Sequence, residues 1–146
     1  MGFALGLSPV PAATYAPAET GEVGALRPDD LQRRLPLADG QPARVDEVAR
    51  GGEASVNFWQ LREGMPPHLH RSHEEVIVVL EGMVETTVGT RQVTLGPGDS
   101  IVVPRDTVHG GRVVGPALAR GYSVFSPPFD GTERVPAREQ TSPAGD

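Results

Sequence analysis

The chain contains no cysteine and no lysine. Without cysteine there is no disulfide framework, no thiolate metal ligand and no thiol nucleophile. Without lysine there is no Schiff-base chemistry, and all 13 basic residues are arginine. Acids outnumber them, for a net charge of −6, which argues against nucleic acid or an anionic membrane as partner. No apolar run approaches the roughly 20 residues of a membrane span. The stretch Met1–Leu7 is mildly apolar, but no basic residue precedes Arg27, and Pro9 and Pro11 interrupt it. It therefore lacks the tripartite form of a secretory signal. A cytoplasmic location is expected, with a secreted or periplasmic one the alternative.

Histidine is also scarce, but it is concentrated. Three of the four histidines, His68, His70 and His73, fall within six positions, and the fourth is His109. In a strand, side chains at i and i+2 share a face. His68 and His70 can therefore aim one ring nitrogen each at a single ion, whereas a helix would send them to opposite sides. Pro66 and Pro67 argue for extended backbone there. Glu75 opens the run Val76–Leu80, β-branched except at its end, and shares a face with Ile77 and Val79, while Glu74 points the other way, towards solvent.

A chain of 146 residues is one domain with room for a single core. Its 18 glycines and 15 prolines suit a many-turned β-fold. Residues 1–24 show no period and read as a loose arm. Pro28–Leu35 reads as a short helix, with proline first, acids in the first turn and arginines in the last. From Ala43 onward, short strands alternate with Gly- and Pro-containing turns. They include Ala54–Arg62, Met83–Val88, Arg91–Leu95, Val108–Val114 and Ala117–Phe125, making about eight strands in all. The expected organisation is an arm and short helix over 1–42, a β-barrel over 43–130 and a flexible tail over 131–146. Alternation in Ala54–Arg62 separates Val56, Phe58 and Gln60 from Ser55, Asn57, Trp59 and Leu61. It does not say whether Trp59, Gln60 or Tyr122 lines a cavity.

The segment from His68 to Gly82 resembles the first motif of the cupin family: His-x-His, four residues, Glu75, six residues, Gly82. Gly98, Pro104 and His109 match the frame of the second motif, although Asp106 stands for its glycine and Val113 for its asparagine. The resemblance spans roughly residues 45 to 128. It implies an all-β jelly-roll barrel and one divalent transition metal (Fe, Mn, Ni, Cu or Zn) on His68, His70, Glu75 and His109. His73 is the rival of Glu75 as fourth ligand, or else a proton carrier beside it, or a plain histidine at the cavity rim. Glu75 and His73 are the candidate catalytic groups.

By the same resemblance the chain is a metal-dependent enzyme acting on a small organic molecule. The expected reaction is that of a dioxygenase of a hydroxylated aromatic or dicarbonyl compound, or of an isomerase or polyketide cyclase. The alternative is a sensor or binding module without turnover. A homodimer is expected, with the N-terminal arm packed on the neighbouring subunit.

Overall fold

Glycine and proline cut the chain into short extended segments. The computed structural model describes residues 24–129, 131 and 134–137. Within them a helix α1 (Pro28–Arg34) precedes ten strands: β1 (Ala43–Arg50), β2 (Ser55–Leu61), β3 (Gly64–His70), β4 (Glu74–Glu81) and β5 (Val84–Val88), then β6 (Arg91–Leu95), β7 (Ser100–Val103), β8 (His109–Val113), β9 (Ala119–Ser126) and β10 (Arg134–Pro136). They form two five-stranded antiparallel sheets, ordered β1-β2-β9-β4-β7 and β10-β3-β8-β5-β6. This is the expected all-β jelly roll, built as a sandwich of two sheets with ten strands rather than about eight.

The turns follow from their residues. Gly89-Thr90 closes the β5–β6 hairpin, with Val88 opposite Arg91 and Gly89 at φ 59°, as a two-residue hairpin turn demands. In the turn Gly96–Asp99, Gly98 stands at φ 89° behind Pro97, and the Asp99 carboxylate accepts the Gly96 N–H at 2.9 Å.

β2 is buried on both faces. Its outer residue Phe58 packs with Val48 under Leu31 and Leu35 of the helical segment. These two leucines are 0 % and 1 % exposed. Burying each is worth about 1.5–3 kcal/mol, far more than the exposed pairs of Asp30 with Arg33 and Arg34. Gln60 also faces outward, donating to the Leu35 carbonyl at 2.6 Å. Asn57, Trp59 and Leu61 face the space between the sheets. Trp59 fits only because its cross-strand partner is Gly121, where a Cβ would lie 2.1 Å from the indole Cζ2.

Two expectations change here. The segment after residue 130 is not all tail: Arg134, Val135 and Pro136 pair with His70, Leu69 and His68. A three-residue strand carries no period, so the sequence gives no hint of it. Of the three cavity candidates, Trp59 alone lines the cavity; Tyr122 packs on Phe58 in the outer cluster. The arm over residues 1–23 lies outside the described residues. Among the described residues no helix is long and apolar enough to cross a membrane.

Candidate metal centre

The strand carrying His68 and His70 is shaped by the prolines before them. Proline lacks an N–H for the ladder and is tolerated where pairing breaks. Between Met65 and His68 the β3–β8 register slips: Met65 faces Gly111, yet His68 faces His109. Three steps on β3 thus match two on β8, a bulge that holds Pro66 and Pro67. Gly110 makes room for it, since a Cβ there would sit 3.0 Å from the Met65 carbonyl oxygen. The bulge sets His68 directly across from His109, with ring centroids 4.3 Å apart.

The same backbone selects the ring tautomers. His68 Nδ1 lies 2.7 Å from the Pro66 carbonyl oxygen, and His109 Nδ1 lies 2.9 Å from that of Thr107. A carbonyl only accepts, so both Nδ1 atoms carry hydrogen and the Nε2 atoms turn inward. Burial, helped by the nearby His109, Arg134 and His70 and opposed by the bond to Pro66, lowers the His68 pKa from 6.5 to about 3. Its ring is neutral and its lone pair is available.

Glu75 enters from the facing sheet at the start of β4. Its Oε1 lies 3.2 Å from His109 Nε2 and 3.5 Å from His70 Nε2, while Oε2 accepts the Ser123 hydroxyl at 3.1 Å. Burial would raise its pKa; the ring nitrogens of His109 and His70 beside it outweigh that and hold it well below the usual carboxylate range. Glu74 is exposed.

His68, His70, Glu75 and His109 are all buried, and each offers a ligand atom within 4.8 Å of the others. Ligand bonds of about 2.0–2.2 Å place neighbouring donor atoms about 2.9–3.5 Å apart in octahedral or tetrahedral sites. The two Glu75 distances lie at that spacing. Both ring nitrogens of His70 are buried without a hydrogen-bond partner, a costly state that a metal bond would relieve. The donor set of three imidazoles and one carboxylate suits a divalent transition ion. The residues fit a metal.

His73 is outside this group. Its Nδ1 lies 2.9 Å from the Pro127 carbonyl oxygen, and its ring meets Phe129 edge-on, centroids 5.3 Å apart. It does not border the cavity. The structure thus places His73 outside the ligand group, where a backbone carbonyl 54 residues away holds the ring. Together with Ser55, which accepts the Phe129 N–H, and Arg50, which donates to the Phe129 carbonyl, it seats Phe129 against His70 and Phe125.

Asp106, in place of the motif glycine, takes the left-handed conformation at φ 57°, which aspartate tolerates better than most residues. Its N–H then reaches the His70 carbonyl at 2.8 Å, tying the second motif to the first. Val113, in place of the asparagine, packs against the apolar cluster around Trp59.

Three of the four groups, His68, Glu75 and His109, border a cavity of about 70 Å³ between the sheets, and His70 stands behind them. Apolar side chains such as Trp59, Leu61, Val79 and Val84 form most of its wall, with Asn57, Thr86, Ser123 and Arg134 as further polar groups. Sequence reasoning missed Ser123 and Arg134. Ser123 had a signal in retrospect, since it alternates with Gly121 and Phe125 on the inner face of β9.

Residues 58–125 match the cupin domain family. No curated protein matches the chain in sequence. Among solved structures, the chain is 25 % identical to KdgF from Halomonas sp., over 61 % of this chain and 82 % of that one, with a TM-score of 0.57. It is also 25 % identical to TT1209 from Thermus thermophilus, over 68 % and 96 %, with a TM-score of 0.60. An uncharacterized conserved protein with a double-stranded β-helix domain from Klebsiella pneumoniae shares the fold at 20 % identity, over 78 % and 98 %, with a TM-score of 0.64. The motif spacing, the two-sheet architecture and the match over 58–125 agree: the chain carries a cupin domain.

Proposed function

We propose that the chain is a metal-dependent enzyme acting on a small organic molecule, with His68, His70, Glu75 and His109 as the protein ligands. The observation that carries this reading is the convergence of four buried donor atoms, two of the rings locked by backbone carbonyls, with three of the four residues at the wall of an apolar cavity. A divalent ion held there supplies Lewis acidity and, if redox-active, a route to O2.

The chain's own residues do the rest. The apolar wall excludes water and strengthens every charge interaction inside. Ser123 holds Glu75 Oε2, so that Oε1 alone is presented to the centre. Glu75 is the candidate catalytic carboxylate, kept ionised by its neighbours and so suited to holding the ion against which a substrate would bind.

The cavity volume bears on the substrate. At about 70 Å³ it suits a compact molecule of few non-hydrogen atoms. That supports a dicarbonyl or similarly small compound over a hydroxylated aromatic, and over the polyketide chain of a cyclase. A homodimer belongs to the same proposal, although its expected basis, the N-terminal arm, lies outside the described residues. Light scattering at micromolar concentration tests it.

The test of function is oxygen uptake and substrate loss by the metal-loaded protein. Small 1,3-dicarbonyls and catechols are offered, with Fe, Mn, Ni, Cu and Zn loaded in turn. Turnover that disappears in Glu75→Gln supports an enzyme. Tight binding of these compounds without turnover under any metal supports the sensor or binding module instead.

A further inference from the structure

β10 brings into the cavity a cation that neither motif contains. Arg134 lies directly across from His70 in the β10–β3 ladder. Residues opposite one another project to the same face, and Arg134 accordingly lines the cavity with His68, Glu75 and His109. Its Nε is buried with no hydrogen-bond partner. Glu75, the carboxylate beside it, is already engaged on both oxygens, Oε1 towards His109 and His70 and Oε2 with Ser123. Among the described residues no carboxylate forms an ion pair with Arg134.

The charge balance is one-sided. With a divalent ion on the four ligands, Glu75 supplies one negative charge and Arg134 adds one positive charge. Two positive charges are left uncompensated inside a mostly apolar wall. A guanidinium so placed repels the metal, and Glu75, already engaged on both oxygens, offsets only part of its charge. A bound anion removes both costs, and the planar fork of arginine matches a carboxylate. Burial draws the Arg134 pKa below the ordinary arginine value and the Glu75 carboxylate pushes it back up; the group still stays protonated near neutral pH.

We propose that the cavity takes small organic acids, and that Arg134 is the specificity-determining residue that binds the substrate carboxylate while the rest of the molecule reaches the metal ligands. This rests on the metal reading above and narrows its substrate class to small organic acids.

The test uses the Co(II)-loaded full chain, with malonate as the acidic probe and malonamide as its neutral isostere. Binding is followed by calorimetry and by the visible Co(II) spectrum. The wild type is expected to bind malonate at least about tenfold more tightly than malonamide. Arg134→Gln is expected to lose about 10- to 100-fold for malonate, the range for a lost hydrogen bond to a charged group, with malonamide unchanged. Arg134→Lys falls between, since it keeps the charge and loses the fork. Metal content is measured on the same samples. Arg134→Gln retains its cobalt, because removing a nearby cation does not weaken a cation site.

Malonate affinity equal in wild type and Arg134→Gln, with cobalt present in both, overturns the proposal. Failure of the wild type to take up cobalt overturns the metal reading instead. The acid titration on that metal-free protein still reads Arg134, and an affinity independent of Arg134 overturns the proposal there too.

Discussion

Replacing Glu75 by glutamine keeps the size of the side chain and removes its charge. The Ser123 hydroxyl can still donate to the amide oxygen, so the change falls on Oε1, which lies 3.2 Å from His109 Nε2 and 3.5 Å from His70 Nε2. An anionic donor becomes a neutral one at the position where a metal would be shared. Changes to groups that only orient a ligand cost about 10–100-fold in metal affinity, and loss of a ligand charge should exceed that. Glu75→Gln is therefore expected to weaken metal binding by more than about 100-fold, and Ser123→Ala by about 10–100-fold. His73→Ala removes a bond to the Pro127 carbonyl and the contact with Phe129, but no donor atom of the cluster. It should leave metal affinity within about threefold and lower fold stability by about 1–3 kcal/mol. The assay is a titration of each protein against a chromophoric chelator at fixed pH, alongside urea melts of the metal-free forms. Wild-type affinity in Glu75→Gln, together with loss in His73→Ala, would refute the reasoning and make His73 the fourth ligand.

Acid should destabilise the metal-free fold. The His68 pKa falls from 6.5 to about 3 on folding, so the unfolded chain takes up a proton below pH 6.5 that the folded chain refuses until about pH 3. Stability then declines across that window by up to about 1.4 kcal/mol per pH unit for this one group. Glu75, also depressed, adds to the loss at the lower end of the window. Melting temperatures measured between pH 7.5 and pH 4 should fall less steeply in His68→Asn than in wild type, and equal slopes would contradict the assignment. At Asp106, φ is 57°. Glycine should be close to neutral there, as relief of the left-handed conformation is offset by a looser unfolded chain, whereas valine should cost about 1–2 kcal/mol or more. Urea melts showing Asp106→Val as stable as wild type would remove that explanation.

What could be read in advance was local. The i, i+2 spacing of His68 and His70, the alternation that separates Glu75 from Glu74, and the Gly-Thr and Pro-Gly turns all depend on neighbours within a few residues, and they hold in the structure. The rest depends on distant partners. Alternation divides β2 into two faces, but both are buried, because Leu31 and Leu35 cover Phe58 on the outside. Only that cover decides that Trp59 faces inward and Gln60 outward. His73 is placed by a carbonyl 54 positions away. Arg134 reaches the cavity through three ladder positions on β3, a pairing with no periodic trace in its own short segment. The proline bulge was legible as extended backbone, but not as the device that sets His68 opposite His109.

The central claim is a single metal centre built from His68, His70, Glu75 and His109. His70 tests it most directly, since both its ring nitrogens are buried without hydrogen-bond partners and a metal is the partner the account assigns. The measurement is elemental analysis of the protein purified without an affinity tag, wild type beside His70→Ala, with folding checked by circular dichroism. The account predicts one transition metal per chain in the wild type and less than about a tenth of that in a folded His70→Ala, as loss of a first ligand should exceed the 10–100-fold of outer groups. Full metal content in His70→Ala, or a wild type that takes up none from any of the five ions, would contradict it.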